Sequence, residues 1–171
     1  MQTSTGKRFN PLKPDPESID IEDIARALSK LCRYGGHCLT FYSVAEHSVL
    51  LARKAKSTLQ LQALLHDASE AYINDLIRPV KMNLPEFQMI EDRLMKVIAH
   101  KFGFHWPLDP EIKRMDTAIC TDERNQNMAF MDVSPTNWGN TEPALGVRIL
   151  CLSPDDAYKQ FMLTYELVRH K

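Results

Sequence analysis

The sequence lacks the features that mark several large protein classes. Its 21 lysine and arginine residues are offset by 22 aspartate and glutamate residues, which leaves no surplus of positive charge to hold a nucleic acid polymer. No apolar run approaches the roughly 20 residues of a membrane-spanning helix. Residues 1–10 are polar and contain no signal-peptide core. We therefore expect a cytosolic protein, with neither nucleic acid polymers nor membranes among its partners.

Cysteine motifs are also missing. The four cysteines stand apart in the chain and form no C-x-x-C pair of the kind that marks structural zinc sites and redox motifs. We expect reduced and mostly buried thiols at Cys32, Cys38, Cys120 and Cys151.

The chain has 171 residues, 44% of them hydrophobic, which suffices for one core but not for two ordinary domains. It shows no internal repeat, low-complexity block or interdomain linker, so we predict a single domain over 1–171. Three prolines within 1–18 predict an extended arm. Residues 131–152 predict an irregular loop, in which Trp138 would anchor to the body and 147–152 could form a short strand.

Helical periodicity and capping residues account for most of the remaining chain. Pro85 and Pro154 each fit the first turn of a helix, whereas Arg78 before a proline favours a constrained, non-helical link at 77–81. The predicted fold class is an all-α bundle, with helices over 21–34, 44–56, 59–73, 85–102, 111–130 and from 154 onwards.

An apolar helical run breaks at His66-Asp67 into side chains that bind metals or transfer protons. Neighbouring residues on a helix point about 100° apart, so this pair can hold one cation only with ligands from elsewhere. Glu70 lies one turn further on the same face, close enough to act on water at the metal. Alone, a histidine in an apolar helix is more often a hydrogen-bonded core residue.

Two further candidate ligands, His47 and Asp116, lie on predicted apolar helix faces. Two imidazoles and two carboxylates suit a divalent transition metal such as zinc, iron, manganese, cobalt or nickel better than calcium. Glu123, two turns beyond Asp116, is expected to brace the ligands. Together these residues favour a metal site over a coincidence of core residues.

The order H…HD…D on a helical frame resembles the HD-domain metal-dependent phosphohydrolases. Five segments look like those of small bacterial 5'-deoxynucleotidases: SVAEHS at 43–48, HDASE at 66–70, DL at 75–76, PVK at 79–81 and MD at 115–116. The segment CRYGGH at 32–37, followed by FYS at 41–43, is similar to short HD proteins of phages and prophages, a group that includes phage dATP triphosphohydrolases.

The resemblance implies specific roles. The metal ligands would be His47, His66, Asp67 and Asp116, holding one ion per chain, with zinc, cobalt or manganese favoured and an additional magnesium for a polyphosphate substrate. Glu70 would be the acid required for turnover, and Asp75 would lie at the mouth of the site.

For the substrate, Arg33 and Tyr34 match an Arg-Trp pair that contacts phosphate and sugar in the deoxynucleotidases. Tyrosine differs by its hydroxyl, and the interval from His47 to His66 is shorter than in those enzymes. Lys81 offers a mobile positive charge, and His37, after two glycines, could donate to a phosphate.

We therefore expect hydrolysis of the 5' phosphate ester of a deoxynucleotide in the cytoplasm of a bacterial cell or phage-infected host. A monophosphate such as dAMP is narrowly favoured, with release of nucleoside and phosphate. The alternative is a dATP or dNTP triphosphohydrolase that releases triphosphate. More remote alternatives are hydrolysis of signalling nucleotides and a non-catalytic metal-containing binding protein. A homo-oligomer is expected because the resembling families usually form one.

Overall fold

The computed structural model describes residues 1–130 and 142–170, and the regular secondary structure in these ranges is helical. The predicted all-α fold is therefore confirmed. In the same ranges no helix is long and apolar enough to cross a membrane. The α-helices are α1 Ile21–Lys30, α2 Val44–Lys54, α3 Gln60–Leu65, α4 Glu70–Ile73, α5 Arg78–Lys81, α6 Pro85–Phe102, α7 Pro110–Asn127 and α8 Pro154–Val168.

Capping side chains begin several of these helices. The side chains of Asp20, Ser43 and Ser153 accept hydrogen bonds from backbone N–H groups two or three residues further on. Proline occupies the first turn of α6, α7 and α8, where its missing N–H costs nothing. The predicted starts of α1, α2, α6 and α8 are confirmed, as is the end of α6 before Gly103.

The predicted end of the first helix near Tyr34 is wrong, because α1 ends at Lys30. Leu31 adopts an extended conformation, and its carbonyl accepts a hydrogen bond from the N–H of Val44 at 3.0 Å. Cys32 then forms an isolated antiparallel bridge with Ser43. Pairing with a distant segment thus replaces the last helical turn and places Arg33 on a separate loop.

The helix predicted over 59–73 is also interrupted. Between α3 and α4 the backbone forms hydrogen bonds that span three residues, from Ala68 N–H to the Leu65 carbonyl and from Glu70 N–H to the Asp67 carbonyl. Such i to i−3 bonds are of the 3₁₀ type, which winds the backbone more tightly than an α-helix. His66 and Asp67 therefore lie on a turn between two short helices.

Three other local predictions need correction. The segment 78–81 is a helical turn rather than a non-helical link, with Pro79 in its first turn where proline is tolerated. Residues 147–152 form no strand. The four cysteines are free thiols, but all have intermediate exposure and are not mostly buried. Trp138 and the rest of 131–141 lie outside the described residues.

The core surrounds α2, which packs against α1, α3 and α8. Apolar residues lie on several sides of α2, so this helix is enclosed rather than amphipathic. Its partners contribute fully buried side chains at Leu28, Leu64 and Phe161. This enclosure holds His47, which is also on α2, in the protein interior.

The N-terminal arm, predicted to be extended, curls back on itself. The Met1 amino group donates to the Phe9 carbonyl at 2.7 Å. The Phe9 side chain is 1% exposed and stacks on Tyr72 at 4.1 Å. Asp23 of α1 accepts hydrogen bonds from Ser4 and from Thr5, whose backbone and side chain both donate. A buried carboxylate therefore ties the arm to the helical body.

Replacement of Asp23 by alanine should lower the free energy of unfolding by about 1.5–3 kcal/mol, because hydrogen bonds to a charged group are lost and the arm's donors remain without an acceptor. Urea denaturation of Asp23→Ala measures this, with Glu22→Ala, an exposed acid in the same helical turn, as the matched control. Equal midpoints for the two variants would contradict the role assigned to Asp23.

The same contact predicts a pH dependence. Burial alone would raise the pKa of Asp23, but the hydrogen bonds from Ser4 and Thr5 outweigh burial and lower it. The stabilisation is therefore present above the unfolded pKa of about 3.9 and is lost as pH falls through the lower folded value. The stability difference between the wild type and Asp23→Ala should shrink in acid.

Candidate metal centre

Three helical segments bring the four predicted ligands together. Nε2 of His47 and Nε2 of His66 lie 3.2 Å apart. Oδ2 of Asp67 is 3.0 Å from the His66 nitrogen and 3.8 Å from the His47 nitrogen. Oδ1 of Asp116 is 3.3 Å from the His47 nitrogen and 3.8 Å from the His66 nitrogen. One ligand atom from each of His47, His66 and Asp67 lies within 4.8 Å of the others, so these residues could hold a metal ion.

The spacing of these atoms suits a small divalent ion. Bonds of about 2.0–2.2 Å to nitrogen and oxygen place neighbouring ligand atoms roughly 2.8–3.6 Å apart in octahedral or tetrahedral geometry. Three of the observed separations lie in that range, and two are slightly longer. Imidazole and carboxylate donors together match a transition metal. The residues present therefore fit the metal that the sequence predicts.

Hydrogen bonds made by Nδ1 of each imidazole orient its Nε2 toward the ligand group. Nδ1 of His47 lies 2.7 Å from Oε1 of Glu123, and Nδ1 of His66 lies 2.8 Å from the carbonyl oxygen of Ala63. Each Nδ1 donates to its oxygen, so in the neutral form of each imidazole the lone pair on Nε2 is directed into the ligand group. This tautomer is the one that metal coordination requires.

Glu123 connects the metal group to the predicted substrate residues. It is buried, and its second oxygen accepts from Nη2 of Arg33 at 3.0 Å and from the hydroxyl of Tyr34. Burial alone would raise its pKa, but the charge of Arg33 and the contact with His47 lower the pKa to about 2. Glu123 is therefore ionised at neutral pH. Its position two turns past Asp116 was the only sequence signal for this brace.

The charges within the ligand group depend on one another. Burial alone would lower the pKa of His66, but Asp67 and Asp116 outweigh burial and raise the pKa to about 10. Burial would likewise raise the pKa of Asp67, yet His66 lowers it to about 2. Without an ion, a proton on His66 thus balances the carboxylates, and an ion must displace that proton.

Glu70 and Asp75 differ from Asp67 because their pKa values are raised rather than lowered. Glu70 is 7% exposed, and among the described residues its Oε2 atom has no hydrogen-bond partner. Burial, followed by repulsion from Asp67 and Asp75, raises the pKa of Glu70 well above its usual value. Burial also raises the pKa of half-buried Asp75. A buried carboxyl that has an oxygen without a hydrogen-bond partner, and that lies beside the candidate metal ligands, is available for chemistry.

A cavity of about 260 Å³ opens beside the ligand group, with His66, Asp67 and Asp116 in its wall. Lys81 also lines the cavity, where its Nζ pairs with Glu91 at 2.5 Å. Sequence reasoning missed other lining residues. Lys113 sits one turn before Asp116, a spacing that could have indicated it, whereas Trp106 comes from the loop between α6 and α7.

The remaining predicted residue, His37, lies at the end of the turn Arg33–Gly36. Its side chain is exposed, and its backbone N–H donates to the Tyr34 carbonyl at 3.1 Å, closing the loop after α1. Arg33, in contrast, is buried, and its Nη1 lies 3.9 Å from Oδ2 of Asp67. The loop thus presents Arg33 to the ligand group and His37 to solvent.

Comparison with protein-family models finds no match for the chain. Two curated proteins are similar to it over most of their lengths. An uncharacterized protein of Escherichia coli (strain K12), YfdR, is 35% identical over 165 residues, which cover 95% of this chain and 91% of that protein. An uncharacterized protein of Rhodobacter capsulatus, RCAP_rcc00048, is 32% identical over 181 residues, which cover 96% of this chain and 92% of that protein.

His66→Ala should reduce the bound metal from about one ion per chain to near zero, because one of two imidazole ligands is lost. Elemental analysis of purified protein after dialysis against zinc measures this. His100→Ala, which removes an exposed histidine of α6, is the control and should retain the ion. Unchanged metal content in His66→Ala would contradict the ligand assignment.

Metal binding should also release protons. Because the pKa of His66 is about 10, its imidazole is protonated at neutral pH in the absence of an ion, and coordination requires the neutral form. Apparent affinity should rise about tenfold per pH unit between pH 6 and 9. Calorimetric titration in buffers of different ionisation enthalpy gives the proton count, expected to be about one per ion at pH 7. Binding without proton release would contradict this charge balance.

Proposed function

The chain belongs to the same protein family as YfdR of Escherichia coli, and we propose that it is a metal-dependent phosphohydrolase that cleaves the 5' phosphate ester of deoxynucleotides. The observation that carries the proposal is the buried acid Glu70, with one oxygen unpartnered among the described residues, beside a group that could hold a metal ion. A structural metal site does not need such an acid. The likeness of the motifs to HD phosphohydrolases supports the same reaction.

Ester hydrolysis needs an activated water, neutralised phosphoryl oxygens and a proton for the leaving oxygen. A divalent ion held by the four ligands would supply Lewis-acid activation of water and charge neutralisation at the phosphoryl group. Glu70 takes the proton of the attacking water and returns it to the 5' oxygen. The pKa of Glu70 is raised by burial, so this carboxyl holds a transferred proton more readily than an exposed glutamate does.

Arg33 provides a fixed positive charge at the site. Its guanidinium is anchored to Glu123 at 3.0 Å, and among the described residues its buried Nε has no hydrogen-bond partner. Donor capacity therefore remains after the anchor is made. A guanidinium held in this way binds a phosphate oxygen with little loss of side-chain freedom. Lys81 and Lys113 also line the cavity wall, where each is paired with a carboxylate, Lys81 with Glu91 at 2.5 Å and Lys113 with Asp116 at 2.8 Å.

The charges of the cavity favour a monophosphate over a triphosphate. Two lysines line it together with five carboxylates, those of Asp67, Glu91, Asp92, Asp109 and Asp116. A bound divalent ion would still leave the wall with one net negative charge. Each additional phosphate group would then meet repulsion unless a second cation, such as magnesium, accompanied it. We therefore propose a dAMP-like substrate that yields nucleoside and phosphate.

A substrate screen tests the proposal. Protein loaded with zinc, cobalt or manganese is incubated with nucleoside mono-, di- and triphosphates, and the products are separated by chromatography. Release of deoxyadenosine and phosphate from dAMP is the expected result. Release of deoxyadenosine and triphosphate from dATP would favour the triphosphohydrolase instead. Stepwise loss of terminal phosphate would contradict both reactions, and metal binding with no hydrolysis would favour a non-catalytic binding protein.

Glu70→Gln should lower turnover by about 10²–10⁴-fold, since an amide keeps the size of the side chain but cannot transfer the proton. Metal content should be unchanged, because Glu70 is not assigned as a ligand. Glu86→Gln, an exposed acid at the start of α6, serves as the control and should keep wild-type turnover. Full activity of Glu70→Gln would remove Glu70 from the mechanism.

A further inference from the structure

Two of the four cysteines lie next to each other outside the metal centre. Sγ of Cys32 and Sγ of Cys38 are 3.4 Å apart, and one thiol donates a hydrogen bond to the other. Both are free thiols of intermediate exposure. A small oxidant in solution can therefore reach them.

The backbone holds both cysteines in place. Cys32 is paired with Ser43 through the antiparallel bridge. On the other side of Cys38, the Leu39 N–H donates to the carbonyl oxygen of Asn127 at 2.8 Å, and the Asn127 side chain exchanges two hydrogen bonds with the backbone of Thr40. The closeness of the two sulfurs is therefore a property of the fold.

Little movement would join the two sulfurs. A disulfide bond is about 2.05 Å long, so the sulfur atoms would have to approach by roughly 1.4 Å. Rotation about the Cα–Cβ bonds together with a small adjustment of the loop can supply this. The backbone anchors on either side do not have to break.

We propose that Cys32 and Cys38 form a thiol–disulfide modification site, which a low-molecular-weight disulfide such as oxidised glutathione converts to an intramolecular disulfide. One cysteine thiolate attacks a glutathione sulfur, which forms a mixed disulfide and releases one glutathione thiolate. The other cysteine thiolate then attacks the protein-bound sulfur of the mixed disulfide and releases the second glutathione. Two protein thiols are oxidised, one glutathione disulfide is reduced, and the two thiol protons pass to the glutathiones.

The disulfide would enclose the segment 33–37. This segment carries Arg33 and Tyr34, both in contact with Glu123. Its backbone is left-handed at Tyr34, with φ of 56°, and at the two glycines that follow. Closing the ring restricts opening of this segment and so stabilises the loop on which Arg33 depends. In a reducing cytosol the bond would be transient, formed as the glutathione pool becomes oxidised.

The test uses the full-length wild-type protein with oxidised glutathione, followed by acid quenching, alkylation of the remaining thiols and mass spectrometry. The alkylated thiols should fall from four to two, with the mass of two hydrogen atoms lost and the bond mapped to Cys32–Cys38. Dithiothreitol should restore all four thiols. Amide hydrogen exchange within 33–37 should slow in the oxidised protein.

Two matched variants sharpen the result. The double variant Cys120→Ser, Cys151→Ser should still lose two thiols, whereas Cys38→Ser should form only a mixed disulfide with glutathione. Four alkylatable thiols after oxidation of the wild type, or a bond mapped to another pair, would overturn the proposal. Unchanged exchange within 33–37 would overturn the stabilisation of the loop. Because the readouts are mass and exchange, they do not depend on the proposed hydrolysis.

Discussion

The carboxylate of Glu123 joins three parts of the chain in the protein interior. One oxygen accepts from Nδ1 of His47 on α2 at 2.7 Å, and the other accepts from Arg33 at 3.0 Å and from Tyr34 on the loop after α1. A buried charge of this kind is tolerated because it is paired and hydrogen-bonded. Its loss would leave the buried Arg33 guanidinium with only the more distant carboxylate of Asp67, at 3.9 Å, and His47 without its orienting acceptor. The candidate metal centre and the loop that carries Arg33 and Tyr34 therefore depend on the same side chain.

Interactions between neighbouring charged groups also set the protonation of the other residues at the site. His66 and the carboxylates next to it stabilise one another in the absence of an ion, so the apo group can remain folded. Glu70 is treated differently, since burial and the neighbouring acids disfavour its charged form. Adjacent carboxylates thus have opposite pKa shifts, the arrangement that separates ligands from proton-transferring groups.

Sequence reasoning predicted those features that are specified locally. Pro85 and Gly103 delimit α6, and Ser153 with Pro154 begins α8, because capping and proline geometry act within a few residues. It also brought together His47, His66, Asp67 and Asp116 as one group. It extended α1 too far, because the pairing of Cys32 with Ser43 involves residues eleven positions apart and has no local signal. The contribution of Trp106 to the cavity, and the exposure of His37 to solvent, likewise depend on tertiary packing.

The most direct test of the account is a crystal structure of the protein grown with cobalt, with diffraction data collected on both sides of the cobalt absorption edge. The account predicts one anomalous peak per chain, about 2.0–2.2 Å from Nε2 of His47, Nε2 of His66 and carboxylate oxygens of Asp67 and Asp116. It also predicts that Glu70 remains outside bonding distance of the ion. An ion coordinated by Glu70 in place of these ligands, or the absence of a peak at this group, would contradict it.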